Sequence, residues 1–309
     1  MPPILGTIWR LLSRTVTGWV EDDAGLLGAG LATYGLLSIA PFLLIVVGVA
    51  SLYLGEEAAS AHVRELLVVN FGPQAEQAIA SLVRAVRKAE NGVSSTVLSL
   101  TVLAVAATRL FAQLQAALHI IWGVGADRAD LAHRVAGTIA RRILSVGLVL
   151  FAGILLIVGV TLQGYASSLG DGKVYGTLLH WMSDAVIATM LALTLSAVYK
   201  WLPCVVVRWV DVLPGALFTA GLLIVGKFAI GTYLTYFGNT SAYGIAGASI
   251  IVVLWMVYSF QIFLLGAEFT RMWLVEVGHG LEPRRGWRLV PRRLPDEVYL
   301  TPRRPPAEE

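Results

Sequence analysis

Long stretches of this chain carry no charge. None falls between Ala24 and Gly55, between Ile143 and Gly170, or between Phe228 and Ala267. A helix needs about 20 apolar residues, rising ~1.5 Å each, to cross a hydrocarbon core ~30 Å thick. Each window is long enough, and the third holds the end of one helix, a turn and a second helix. Three further windows are broken by single charges: Asn91 to Thr108 ends at Arg109, Val174 to Tyr199 contains Asp184, and Val212 to Phe237 contains Lys227. The pattern predicts an all-α, polytopic membrane helix bundle with six transmembrane helices at 26–54, 93–121, 143–166, 178–202, 212–237 and 243–273. The membrane domain is therefore 26–273, between an N-terminal segment 1–25 and a tail 274–309. A cleavable signal peptide is not expected, because the first apolar run starts late and outruns an h-region.

Outside these spans, Ala75, Ala78, Ile79, Leu82 and Val86 recur at helical spacing, with Glu76, Gln77, Arg84, Arg87 and Lys88 away from that stripe. They predict an amphipathic helix in the first external loop, 55–92. It caps the bundle, lies on the membrane surface or covers the mouth of a cavity. The tail is rich in Pro and Arg and poor in apolar residues, and is expected to be disordered. Its arginines suit a topology anchor or a contact with anionic lipid.

Lysine and arginine are distributed unevenly across the predicted spans. With the N-terminus cytoplasmic, that side collects Arg10, Arg14, the group Arg128 to Arg142, Lys200, Arg208 and the whole Arg-rich tail, whereas the opposite side holds Arg64, Arg84, Arg87, Lys88 and Lys173. The positive-inside rule puts both termini in the cytoplasm. Composition agrees: 57% of the 309 residues are hydrophobic and 14% charged, against about 25% charged in a soluble domain. The formal net charge of +3 makes the chain no nucleic-acid partner. One cysteine, Cys204, excludes an internal disulfide.

Motifs of soluble-type catalysis are missing from the sequence. The histidines at 62, 119, 133, 180 and 279 are scattered, with no HExxH helix. There is no phosphate-binding G-x-x-x-x-G-K-[ST] loop and no G-x-S-x-G elbow. No enzyme, metal or cofactor is expected. Gly28, Gly30, Ala112 with Ala116, Gly221, Gly226, and Gly244 with Ala248 read as close-packing positions, suited to a packed bundle or to a homo-oligomer.

A charge within a span costs ~2.5 kcal/mol or more on insertion scales, so it faces a partner, a cavity or water. Arg109 with Gln113 forms a polar stripe on the second span. Depth along the helices predicts two pairs, Lys227 with Asp184 in the outer half and Arg109 with Glu268 in the inner half. Helix clamps and a substrate site are both consistent with such pairs; the excess of base favours an anionic head group. Pro41 is expected to kink the first span.

Three stretches carry a resemblance: Leu31 to Ile45 (LATYGLLSIAPFLLI), Thr108 to Val124 (TRLFAQLQAALHIIWGV), and Tyr199 to Trp273, with Leu202-Pro203, Asp211-Val212-Leu213-Pro214-Gly215, Tyr243-Gly244 and Leu265-Gly266-Ala267-Glu268. They resemble the YihY/BrkB family of bacterial inner-membrane proteins. That resemblance implies a six-helix, multi-pass protein of the cell inner membrane, linked to envelope biogenesis and lipid or lipopolysaccharide export. A ribonuclease label once attached to the family finds no support in these residues. The expected function is a transporter or flippase-like protein for a lipid or other anionic amphiphile, such as a lipopolysaccharide precursor, with Arg109, Gln113, Lys227, Glu268 and Asp184 lining its cavity. Pro41, Tyr243 and Gly244 are the expected flexible points. A non-transporting envelope scaffold is the alternative.

Overall fold

The computed structural model describes residues 2–38, isolated positions within 55–80, and residues 109–126, 173–237 and 244–290 apart from 279, 285 and 286. Side chains at 2–5, 126, 173–184, 187, 230, 231, 233–237 and 244–251 lie outside the description. The described residues are mostly helical: α1 (Pro2–Glu21), α2 (Ala24–Ser38), α3 (109–121), α4 (Lys173–Trp201), α5 (Trp209–Phe237) and α6 (Gly244–Glu276). The expected helices 178–202, 212–237 and 243–273 correspond to α4, α5 and α6. The expected 26–54 and 93–121 are described only as α2 and α3, and 143–166 falls outside the described residues.

Local chemistry sets the boundaries. α4 stops at Trp201 because Pro203 has no N–H to continue a helix. α5 opens on one half of a capping box: the Asp211 carboxylate in the first turn accepts from the backbone N–H of Arg208 at 3.4 Å, and also from its guanidinium at 3.1 Å. Between α1 and α2 the chain bends at Asp23, whose φ of 49° is left-handed.

α6 is the pillar of the bundle. α5 runs antiparallel to it in a fixed register, with Gly215 against Thr270, Thr219 against Gly266 and the Leu222 carbonyl accepting from the Tyr258 hydroxyl at 2.7 Å. A Cβ at Gly215 or Gly266 would overlap the facing threonine, so small residues are what let these backbones approach. α2 packs through Gly28, where a Cβ would come within 2.8 Å of Gln261. Gly30 and Gly221, expected to pack closely, face open space instead. Tyr199 of α4 closes the three-helix contact, donating to the Phe263 carbonyl at 2.7 Å beside the Thr219 hydroxyl at 3.0 Å.

The surface of α5 has a different character. Val210, Leu213, Leu217, Val225 and Phe228 are exposed and recur on one face, Val210 at 75%. From 210 to 228 the stripe runs about 27 Å along the axis, close to the thickness of a hydrocarbon core. Among the described residues, Trp209–Ala229 and Val252–Glu276 are each long and apolar enough to cross a membrane.

Four short strands depart from the all-α expectation. β1 (Val124–Ala126) pairs antiparallel with β4 (Trp287–Leu289), and β2 (Val205–Val206) with β3 (Glu282–Pro283). Part of the tail, expected to be disordered, thus forms strands β3 and β4. Leu281, Trp287 and Leu289 pack on the main core while Arg288 is exposed, the alternation of a strand with one covered face. Of the expected external helix, only Glu76 and Ala80 are described. Glu76, assigned to the polar side, is buried and paired with Arg64 at 3.1 Å.

Candidate functional site

The last three turns of α6 carry two ionised groups into the core. Glu268 and Arg271 are 0% and 1% exposed, and one Arg271 nitrogen donates to Glu268 Oε1 at 3.1 Å. Their i, i+3 spacing puts both on one helical face. Gly18 of α1 presses on the carboxylate so closely that a Cβ there would overlap Oε1. On the other side Arg271 meets Gly123, whose φ of 60° turns the chain out of α3. Among the described residues, Arg271 Nε has no hydrogen-bond partner. Nearer the helix end, Arg14 of α1 binds Glu276 at 2.9 Å, partly buried.

A second polar cluster adjoins this end. Cys204, buried in the α4–α5 loop, lies 3.1 Å from His119 Nε2, and Trp287 of the tail covers His119 with ring centroids 4.6 Å apart. Arg284 fastens the tail across that loop, its backbone N–H donating to the Cys204 carbonyl at 2.9 Å and its guanidinium to that of Val205 at 3.2 Å. Lys200 donates to Val207 and sits over the Trp209 ring. The hydrogen bond to Asp211 holds the Arg208 guanidinium above its ordinary range, against a smaller desolvation effect. Sequence spacing gave no sign of the Cys204–His119 contact, since 85 residues separate the two.

The residues expected to line a cavity are dispersed. Glu268 is buried, whereas Arg109, Gln113 and Lys227 are exposed. The expected Arg109–Glu268 pair gives way to Arg271–Glu268. α3 runs from Arg109 toward Gly123, where Arg271 meets it, so Arg109 stands at least 12 helical steps, about 18 Å, from that point. Asp184 lies on α4 with its side chain outside the described residues, so the Lys227–Asp184 pair falls there too. Pro41 and Tyr243 lie outside the described residues, and Gly244 opens α6. Among the described residues, no three His, Cys, Asp or Glu side chains gather as a metal site requires.

Two helices long and apolar enough to cross a membrane, an exposed apolar stripe and glycine-mediated packing are features of a helical membrane protein, and the relatives agree. The chain belongs to the family described as "Virulence factor BrkB", whose model matches residues 15–284. It is 32% identical over 260 residues to a UPF0761 membrane protein of Tolumonas auensis, covering 81% of this chain and 80% of that one. A UPF0761 membrane protein of Azoarcus is 28% identical over 245 residues, covering 78% and 57%. One from Pseudoalteromonas translucida is 26% identical over 253 residues, covering 81% of each. No solved structure matches the chain.

Proposed function

We propose that this chain crosses the bacterial inner membrane six times, with both termini cytoplasmic, and moves a lipid or other anionic amphiphile in envelope biogenesis without hydrolysing a nucleotide. The observation that carries this reading is the outer face of α3. Arg109, Ala112, Gln113 and Ala116 are exposed on it at i, i+3, i+4, i+7 spacing, while Leu114, Ala117, Leu118 and Ile121 hold the opposite face in the core. Among the described residues Arg109 has no ion-pair partner, and in hydrocarbon a guanidinium costs ~3 kcal/mol on insertion scales. Ala112 and Ala116 leave room beside it, and an anionic head group supplies both charge and acceptors. Lys227 adds a second exposed cation on α5. The Arg14–Glu276 contact supports termini on one side, and the excess of Lys and Arg supports that side as the cytoplasm.

One observation favours the rival reading of an envelope scaffold. The end of the bundle built by Glu268, Arg271, Gly18 and the tail strands is packed shut. Reconstitution of the purified protein in liposomes with labelled anionic lipids separates the two. The transport reading expects translocation by the wild type and slower translocation by Arg109→Ala and Lys227→Ala. No translocation of any lipid tried overturns it in favour of the scaffold. Translocation untouched by both substitutions removes the α3 face as the site.

A further inference from the structure

α1 lies outside every predicted span, yet it is a helix with three faces. At 100° per residue, Gly18, Leu11 and Thr15 occupy one sector and are buried against α6. Ser13, Thr17 and Arg10 form a second sector, exposed and polar. Between these lies a third, in which Ile8, Val16, Trp9 and Val20 fall within about 120° of one another. All four are exposed, Trp9 at 73%. A helix serving only as a cytoplasmic strut needs the first two sectors and not the third.

We propose that α1 is an in-plane membrane anchor whose Ile8–Trp9–Val16–Val20 face is seated in the lipid leaflet at this end of the bundle. The occupant is the boundary between head groups and acyl chains, where amphipathic helices bury an apolar face to a depth of about 5–10 Å and where Trp is favoured. Three observations point to lipid. The apolar sector is continuous with the exposed stripe of α5, because Leu12 of α1 and Phe218 of α5 pack on the same Leu11–Phe269–Met272 cluster, and Leu217 beside Phe218 belongs to the stripe. It continues across the bend into α2, where Leu26 is also exposed. The bend itself is acidic, Glu21-Asp22-Asp23, which marks a water-facing boundary between two lipid-facing helices. This inference holds for a transporter and for a scaffold alike.

Single cysteines at 8, 9, 16 and 20 on the apolar sector, and at 10, 13 and 17 on the polar one, provide the test. Each carries a nitroxide label in the full chain, reconstituted in phosphatidylcholine–phosphatidylglycerol vesicles. The unsubstituted protein, whose one cysteine is the buried Cys204, serves as the blank. Labels in the apolar sector are expected to collide several-fold more with oxygen, relative to a water-soluble nickel chelate, than labels in the polar sector. Nickel access at all seven positions overturns the proposal by placing α1 in water. Oxygen preference at all seven overturns it by making α1 a buried span. Spin–spin broadening confined to 8, 9, 16 and 20 overturns it in favour of a second copy of the chain.

Discussion

Removing one member of the Glu268–Arg271 pair tests whether it is a structural clamp. At the observed 3.1 Å, Coulomb's law with an effective dielectric constant of about 20 gives an attraction of about 5 kcal/mol. Desolvating two groups that are 0% and 1% exposed costs several kcal/mol per ion, so the net worth of the intact pair is small. Breaking it is another matter. Glu268→Gln leaves the Arg271 guanidinium ionised inside the core, where an uncompensated charge costs about 3–5 kcal/mol. Glu268→Gln with Arg271→Met removes both charges and keeps similar volume, so it should recover most of that loss. Unfolding midpoints in mixed micelles of dodecylmaltoside and dodecyl sulfate give the double-mutant cycle. A coupling of about 2 kcal/mol or more is expected. Single variants indistinguishable from wild type, or a double variant as unstable as the sum of the singles, would refute the reasoning.

Gly215→Val should destabilise by about 1–3 kcal/mol through overpacking, because its side chain meets Thr270 and the Gly266 carbonyl; the same unfolding assay reads it, and a neutral result would show that α5 and α6 separate easily. Tyr199→Phe keeps the ring and deletes the hydroxyl that bonds Phe263 and lies beside Thr219, so a loss of about 1 kcal/mol is expected by the same measurement. Ending the chain before Gly280 removes the strands that cover the α4–α5 loop. Maleimide should then modify Cys204 faster than in the full chain, and equal rates would mean that the tail does not shield it.

What was legible in the sequence were the long apolar helices. α4, α5 and α6 start and stop within a few residues of their expected bounds, because an apolar run with at most one charge in 20 residues has few folds open to it, and because Pro203 and the Arg208–Asp211 cap are local signals. α1 escapes a search for spans because its apolar positions are spread over two sectors and fall short of a span, although Ile8, Leu11, Leu12, Thr15 and Val16 show helical spacing. The tail strands were hidden for another reason. β3 finds its partners 76 and 78 residues earlier in the α4–α5 loop, and no pattern within Glu282–Pro283 points there. The Arg271–Glu268 pair was readable from i, i+3 spacing alone. The Arg109 pairing in its place matched groups by depth along separate helices, and the distance between two helices is not written in either one.

The exposed face of α3 carries the proposed function, and native mass spectrometry reads lipid binding there directly. Wild type and Arg109→Ala/Gln113→Ala, released from detergent containing equal amounts of phosphatidylglycerol and phosphatidylcholine, are compared for retained lipid. The wild type should keep phosphatidylglycerol in preference and the double variant should lose that preference; the same anionic-lipid adducts on both proteins would show that the α3 face binds no anionic head group.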